Sequence, residues 1–450
     1  MTAYYFCNMS ISSYFKLKEH QTTVKTELLA GLTTFSTMAY ILVVNPMILS
    51  KTGMDFNALI TATALAAAIG TFVMAIAAKL PIAVAPGMGL NAFFAYTVVL
   101  SMGYTWQFAL TAVFLEGVIF ILLSLFNIRE AIINSIPANL KHAISVGIGL
   151  LIALIGLANA GIIETGMKYV GDGKLDGVIL KMGDVTEAGP MIALIGVIVS
   201  AVLMYRKVNA ALLIGIIVAT VVGIPLGLTH LPVGGKFLSL PPSLSPIAFK
   251  LQFDQIFSMK MVLILFTLLL INLFDTVGTL IGLCHKAGLL DARGRIPRAK
   301  QALLADAVGT TAGALLGTSV VTAYVESASG IAAGGRTGLT SLTVAGMFLI
   351  SLFFAPLFAM IPGAATAPAL IIVGMLMMSA VTEIRFDDIT EALPAFLTIV
   401  MMPYSYSIAE GIVFGMLSYV LLKVLTGKGK DISPVMYVLF VLFILSFLVK

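Results

Sequence analysis

The sequence predicts an all-α polytopic membrane protein of about 14 transmembrane segments, folded as two inverted seven-span repeats. Three observations predict it. Apolar runs of membrane-spanning length recur along the whole chain, basic residues gather on alternate loops, and the second half repeats landmarks of the first. Composition sets the frame: of 450 residues, 60% are hydrophobic and only 10% charged, with a mean hydropathy of +1.07. Soluble domains carry about 25% charged residues, so a chain this poor in charge is suited to a surface covered by lipid.

The apolar runs place helices near 27–49, 57–79, 105–126, 139–160, 189–205 and 209–228 in the first half. In the second half they fall near 258–283, 300–317, 338–360, 366–381, 391–404 and 408–426. Two further segments, 82–101 and 319–335, are apolar or small but broken by glycine, and they complete the count. A last run, 433–449, is long enough either to span or to lie at the surface. The first 26 residues contain no continuous apolar stretch, so no cleavable signal peptide is expected. The domain plan is therefore a cytoplasmic segment 1–26, a first repeat 27–228, an extracellular connector 229–257, a second repeat 258–426 and a tail 427–450.

Charge orients this plan. With the N-terminus inside, 18 of the Lys and Arg residues fall on cytoplasmic loops and 7 outside, leaving Lys450 unassigned. That asymmetry is the positive-inside pattern. It also accounts for the net charge of +5, which is no nucleic-acid signal. The repeat rests on spacing: Ile136-Pro137 with Gly149 recurs as Ile361-Pro362 with Gly374, at an offset of 225. Gly215 and Gly415 match at an offset of 200, the difference being taken up by an extra polar hairpin at about 163–188. Seven spans per half is odd, so the second copy must be inverted, an arrangement typical of secondary transporters with the site at the repeat interface.

The broken segments carry the chemistry. In Lys79-Leu-Pro-Ile-Ala-Val-Ala-Pro-Gly-Met-Gly-Leu-Asn91, the Pro86-Gly87 pair favours extended or turn backbone, with helix resuming around Asn91. Thr318-Ser-Val-Val-Thr-Ala-Tyr324-Val-Glu326-Ser327 reads likewise, β-branched residues first and small ones after. Irregular backbone at membrane depth survives only where protein or a cavity satisfies its polar groups. Two half-helices with facing N-termini would offer free N–H donors to a polar ligand.

Acids within spans are few: Glu116, Asp275, Asp306, Glu326 and Glu410. An ionisable group at the centre of a bilayer costs about 2.5–3.5 kcal/mol on insertion scales and is a functional candidate by default. Asp275 sits mid-span with Asn272, Thr276 and Thr279 at helical spacing, and Glu326 sits at the second break. These two are the functional candidates; Glu116 and Asp306 read equally as structural, and Glu410 as a partner for a helix N-terminus. The cysteines Cys7 and Cys284 suggest neither a disulfide nor a metal site. The histidines are isolated, and Asp387-Asp388 reads as a solvated turn.

Several motifs in order then give a resemblance. GLTTFSTMAYILVVNP (31–46), APGMGLNAFFAY (85–96), NLFDTVGTL (272–280) and TAYVESASGIAAGGRTGLTSL (322–342) resemble the AzgA-like purine permeases of the nucleobase–ascorbate transporter superfamily, over nearly the whole chain. The resemblance implies a core domain and a gate domain, with a short strand and a half-helix at each broken segment. It also implies elevator-type uptake of hypoxanthine, guanine or adenine by proton symport. The substrate-binding set it implies is Glu326, Asp275, Asn91, Tyr324, Ser327 and Thr279, with Asp275 and Glu326 also candidates for the coupling proton. Uracil-type relatives carry a histidine where this chain has Thr279, so a histidine relay is not expected.

A purine edge alternates N–H donors with N and O acceptors, which suits a carboxylate facing backbone N–H groups. The expected partners are a purine nucleobase, protons and the lipid bilayer, with a homodimer as one assembly and no nucleic acid. No cofactor and no enzymatic activity are expected, and the location implied is a bacterial plasma (inner) membrane with the N-terminus cytoplasmic. The alternatives are a sulfate-type anion carrier of the same fold, an intramembrane enzyme, and a channel lined by the re-entrant segments. The anion reading needs a basic residue near the half-helices, and Arg336 follows the second break by ten residues, on the cytoplasmic side.

Overall fold

A computed structural model describes the chain except for residues 1–10, 127–136, 167, 170–174, 177, 179, 232–236, 255, 291–295, 297 and 449–450. Cys7 and Lys174, Lys236, Arg129, Arg293 and Arg295 of the charge pattern lie outside the described residues. The first part of the chain forms α1 (Ile11–Tyr14), α2 (Val24–Met38), α3 (Ile41–Ser50) and α4 (Phe56–Val73, prolonged by a π-helical turn Met74–Ala78). Then come β1 (Val84–Pro86), α5 (Met88–Ala92, prolonged as Phe93–Ser101), α6 (Trp106–Phe126) and α7 (Ala138–Asn159). Strands β2 (Ile163–Glu164), β3 (Lys168–Tyr169), β4 (Leu175–Asp176) and β5 (Lys181–Met182) precede α8 (Ala188–Tyr205) and α9 (Ala211–Gly223). The remainder forms α10 (Met259–Lys286), α11 (Ala299–Leu316), β6 (Val321–Ala323), α12 (Ser327–Ala332), α13 (Gly338–Ser351) and α14 (Ala355–Ala359). It closes with α15 (Gly363–Met378), α16 (Ile389–Ser405), α17 (Ile408–Leu425) and α18 (Pro434–Leu448).

The fold is thus helical, as the apolar runs predict, and each expected helix has a counterpart within a few residues. By length and composition, 7 helices among the described residues can cross a membrane, and four shorter apolar helices accompany them. Large apolar side chains stand exposed along many of them, among them Leu29 and Phe72 on α2 and α4 and Ile198 and Val221 on α8 and α9. Apolar exposure on this scale marks a surface meant for something other than water.

The chain divides into two compact units, each assembled from both halves of the sequence. The first comprises residues 1–134 and 239–355. Here α11 packs on α4 and α6, and α13 on α2 and α4. Strands β1 and β6 pair antiparallel inside it, with Val84 opposite Ala323 and Pro86 opposite Val321. Both strands are fully buried, so their backbone must be satisfied by protein. Two threonines do this. The Thr71 hydroxyl donates to the Val84 carbonyl (2.9 Å) and accepts from the Val84 N–H (3.0 Å). The Thr310 hydroxyl treats Val321 in the same way, at 2.9 and 3.1 Å. Each threonine follows a glycine, and those glycines let α4 and α11 cross in near-contact. A Cβ at Gly309 would lie 3.1 Å from the Gly70 Cα and 2.9 Å from Val321.

Glu27 anchors the same unit. Fully buried at the start of α2, it accepts from the N–H groups of Arg336 (2.9 Å), Thr337 (3.3 Å) and Thr340 (3.2 Å) and from the Thr340 hydroxyl (2.6 Å). A carboxylate at the N-terminus of α13 satisfies orphan donors and opposes the helix dipole. Stranding one buried donor costs about 1–3 kcal/mol, so Glu27→Ala is expected to destabilise the protein by about 3 kcal/mol. The melting temperature of the purified protein checks this; an unchanged value would contradict it.

The second unit comprises residues 135–238 and 356–450. In it α7 packs on α15 and α16, α16 on α17, and α8 on α9 and α15. The repeat landmarks Gly149 and Gly374 meet at the crossing of α7 and α15, where a Cβ on either would lie 2.5–2.6 Å from the other's carbonyl oxygen. The polar hairpin read at 163–188 forms two small antiparallel ladders, β2 with β5 and β3 with β4. Glu410 sits in the first turn of α17, which is capped by Ser407. Lys423, nearly buried, pairs with Glu391 at 2.8 Å. Asp388 caps α16 and pairs with Lys428 at 2.8 Å, and the bond from that lysine holds the Asp388 carboxyl well below the usual carboxylate range.

Candidate functional site

The candidate site lies wholly in the first unit, around the β1–β6 pair. Because the strands are antiparallel, α5 starts beside the entry to β6, and α12 starts beside the entry to β1. Backbone bonds extend the ladder at both ends: Gly87 N–H donates to the Val320 carbonyl (2.9 Å), and Tyr324 N–H to the Ala83 carbonyl (3.0 Å).

Glu326 immediately precedes α12, partly buried. Its carboxylate accepts a 2.5 Å hydrogen bond from the Tyr40 hydroxyl. Its carbonyl accepts from Ser329 Oγ (2.6 Å), which in turn is 2.8 Å from Thr37 Oγ1. Asp275, halfway along α10, is also partly buried. It lies close enough to Glu326 to interact with it electrostatically and has the Thr322 side chain nearby, and α10 packs against β6 and α12. The structure therefore brings together the two acids singled out from the sequence, and Tyr324 lies within their field.

The other predicted residues divide. Tyr324 donates its hydroxyl to the Pro86 carbonyl (2.7 Å), and Ser327 Oγ accepts from the Ala83 N–H (3.0 Å). Both thereby fasten β1 to the start of α12, although the Ser327 hydroxyl keeps its proton to donate. Asn91, in α5, is fully buried and accepts from Ser319 Oγ. Its Nδ2 has no hydrogen-bond partner among the described residues. The described bonds join Asn91 to Ser319 rather than to either acid. Thr279 lies one turn beyond Asp275, partly buried.

Behind Asp275 runs a buried network containing the two acids read as equally structural. Thr276 Oγ1 lies 2.9 Å from Thr322 Oγ1, 2.8 Å from Asp306 Oδ2 and 3.0 Å from Asn272 Oδ1. Asn272 donates to Glu116 at 2.7 Å. Two hydrogen bonds, Thr322 to Thr276 and Thr276 to Asp306, therefore lead from the Thr322 side chain near Asp275 to Asp306. The residue the anion reading needs is engaged elsewhere: Arg336 Nη1 donates to the carbonyls of Ile331 (2.6 Å) and Gly335 (2.8 Å), closing the C-terminal end of α12. A cavity of about 490 Å³ lined by Thr105, Gln107 and residues 250–254 contains none of these groups.

Sequence reasoning missed Tyr40, Glu27 and the two strand-holding threonines. The Gly-Thr pairs at 70–71 and 309–310 are a repeated signal that could have been found. Nothing local distinguishes Tyr40 from other aromatics in an apolar run.

Broken helices meeting over a short buried ladder, with acids at their junction, define a membrane transport protein. The comparisons agree. The model of the permease family Xan_ur_permease matches residues 25–414. A putative permease of Methanocaldococcus jannaschii is 48% identical over 97% of this chain and 98% of its own. The adenine permease AdeP of Escherichia coli is 44% identical, covering 96% and 94%. The guanine/hypoxanthine permease PbuO of Bacillus subtilis is also 44% identical, covering 96% and 99%. The chain belongs to this permease family, on the AzgA-like branch that its motifs resemble. Among solved structures, the transmembrane domain of a cyanobacterial bicarbonate transporter, BicA, superposes with a TM-score of 0.61 at 18% identity, over 86% of this chain and 96% of that domain. At that identity the likeness speaks for a shared fold alone.

Proposed function

We propose that the protein is a secondary active transporter that takes up purine nucleobases, hypoxanthine, guanine or adenine, in symport with protons. The single observation that carries this reading is that Glu326, at the start of α12, and Asp275, on the α10 helix packed against it, come within electrostatic reach of each other beside the β1–β6 ladder. Relatives named as adenine and guanine/hypoxanthine permeases, similar over nearly the whole chain, support the substrate class. Glu326 accepts from a ring N–H, the unpartnered Asn91 Nδ2 is available as a donor, and backbone N–H groups of the half-helices face an exocyclic oxygen.

The hydrogen-bond path supports proton coupling. The Thr322 and Thr276 hydroxyls between Asp275 and Asp306 offer a route along which a proton can pass between the two acids without a histidine. In this reading the first unit is the core that carries the base and the second is the gate, with 14 spans in two inverted repeats and the N-terminus in the cytoplasm of a plasma membrane. The paired Gly-Thr clamps on β1 and β6 and the facing Gly149 and Gly374 support the repeat in this reading. The core carries its base across in an elevator-type cycle.

Uptake should then fall as external pH rises from 6 to 8, and an uncoupler should collapse accumulation, since the driving proton is taken from outside. Initial rates and steady-state levels of labelled hypoxanthine check this. Accumulation against a gradient that survives the uncoupler would exclude proton coupling.

A further inference from the structure

We infer that Tyr40 decides which edge of a purine the Glu326 carboxylate can accept, and so discriminates guanine-type from hypoxanthine-type bases; this rests on the purine reading above. Tyr40 is 1% exposed and stands between α2 and α3. Its hydroxyl donates to Glu326 Oε1 at 2.5 Å. The contact is braced from both sides. One turn before Tyr40, Thr37 bonds to Ser329, and Ser329 bonds to the Glu326 carbonyl. The backbone and the carboxylate of Glu326 are therefore both held from the C-terminal end of α2 and from Tyr40 just beyond it, where the tyrosine side chain is enclosed by protein.

One of the two lone-pair sites of Oε1 is thus filled within the protein, with the tyrosine ring fixed beside it, and Oε2 is the less hindered acceptor for a ligand. Hypoxanthine offers a single N1–H beside a carbonyl and asks for a single acceptor. Guanine offers N1–H and its 2-amino N–H side by side, a pair matched to both oxygens of one carboxylate. With one site of Oε1 filled by the tyrosine hydroxyl, guanine's second donor must share that oxygen with Tyr40 or displace it, either of which cancels most of the advantage of its extra donor. Phenylalanine at position 40 keeps the ring and frees Oε1.

The test measures inhibition constants of guanine and hypoxanthine against labelled hypoxanthine uptake, in wild type and Tyr40→Phe. A hydrogen bond to a charged group corresponds to roughly tenfold or more in affinity. The ratio of the two constants is therefore expected to move about tenfold toward guanine in Tyr40→Phe. A shift below twofold, or one toward hypoxanthine, overturns the inference. If the variant does not transport, calorimetric binding of the two bases to the purified variant is judged by the same threshold. Wild type supplies an independent arm: guanine bound no more tightly than hypoxanthine agrees, whereas guanine bound tenfold or more tightly overturns the assignment with no variant needed. A wild type that neither takes up nor binds any purine overturns the substrate reading itself, and the role of Tyr40 with it.

Discussion

Glu326→Gln is expected to weaken purine binding at least about 30-fold, the loss of a hydrogen bond to a charged acceptor. The substitution preserves size and leaves one oxygen that can still accept from Tyr40 at the geometry now 2.5 Å long. What it removes is the second acceptor. In its place stands an NH2 group, so the ring N–H meets a donor where it needs an oxygen. The charge that interacts with Asp275 disappears as well, so the proton balance of the pair changes with it. Equilibrium binding of labelled hypoxanthine to purified protein, corrected for the folded fraction, checks the prediction. Affinity within threefold of wild type would remove Glu326 from the site.

The second large effect is structural. Gly309→Val places branched carbon where even a Cβ would lie 2.9 Å from Val321 and 3.1 Å from the Gly70 Cα. Both neighbours are fixed, one by its place in β6 and the other by the α4 backbone. Nor can α11 retreat, because Thr310 beside it holds Val321 by two hydrogen bonds. Overpacking of a close-packed interior costs typically 1–3 kcal/mol and occasionally more; here about 3 kcal/mol is expected, with β6 and the start of α12 displaced. The variant should melt well below wild type and lose binding even where it is folded. Thermal unfolding of the purified protein tests this, and wild-type stability would show that the helix crossing is looser than described.

The helices were legible because bilayer thickness imposes length and apolarity together, and an unsatisfied backbone in lipid is too costly to allow exceptions. Hence the predicted 105–126 and 139–160 appear as α6 and α7 within two residues. The breaks were legible through Pro86-Gly87 and the β-branched run before Tyr324, and both give strands followed by half-helices. The strands have three residues each, too short to leave an alternation, and the pairing of Val84 with Ala323 is a fact about residues far apart in sequence. The same holds for the site. Asp275 and Glu326 announced themselves because charge in an apolar run is rare. Tyr40 and Thr71 did not, since a hydroxyl on an otherwise apolar helix is common and its partner lies elsewhere in the chain. The motif implies Ser327 and Tyr324 as ligands, and their hydroxyl oxygens bond to the backbone of Ala83 and Pro86 at the two ends of β1. Glu27 is not distinguished by the sequence because it sits at the edge of a span, where acids are cheap; its burial depends on Arg336, Thr337 and the first turn of α13 folding over it.

We propose above all that this chain concentrates purines using Asp275 and Glu326. The most direct measurement is accumulation of labelled hypoxanthine, guanine, adenine and uracil by cells lacking their own nucleobase uptake. Wild type would run beside the double variant Asp275→Asn, Glu326→Gln at matched membrane abundance. Concentrative uptake of at least one purine by wild type, absent from the double variant, is the predicted result. Purine accumulation that persists in the double variant, or a correctly inserted wild type that accumulates none of the purines, would contradict it.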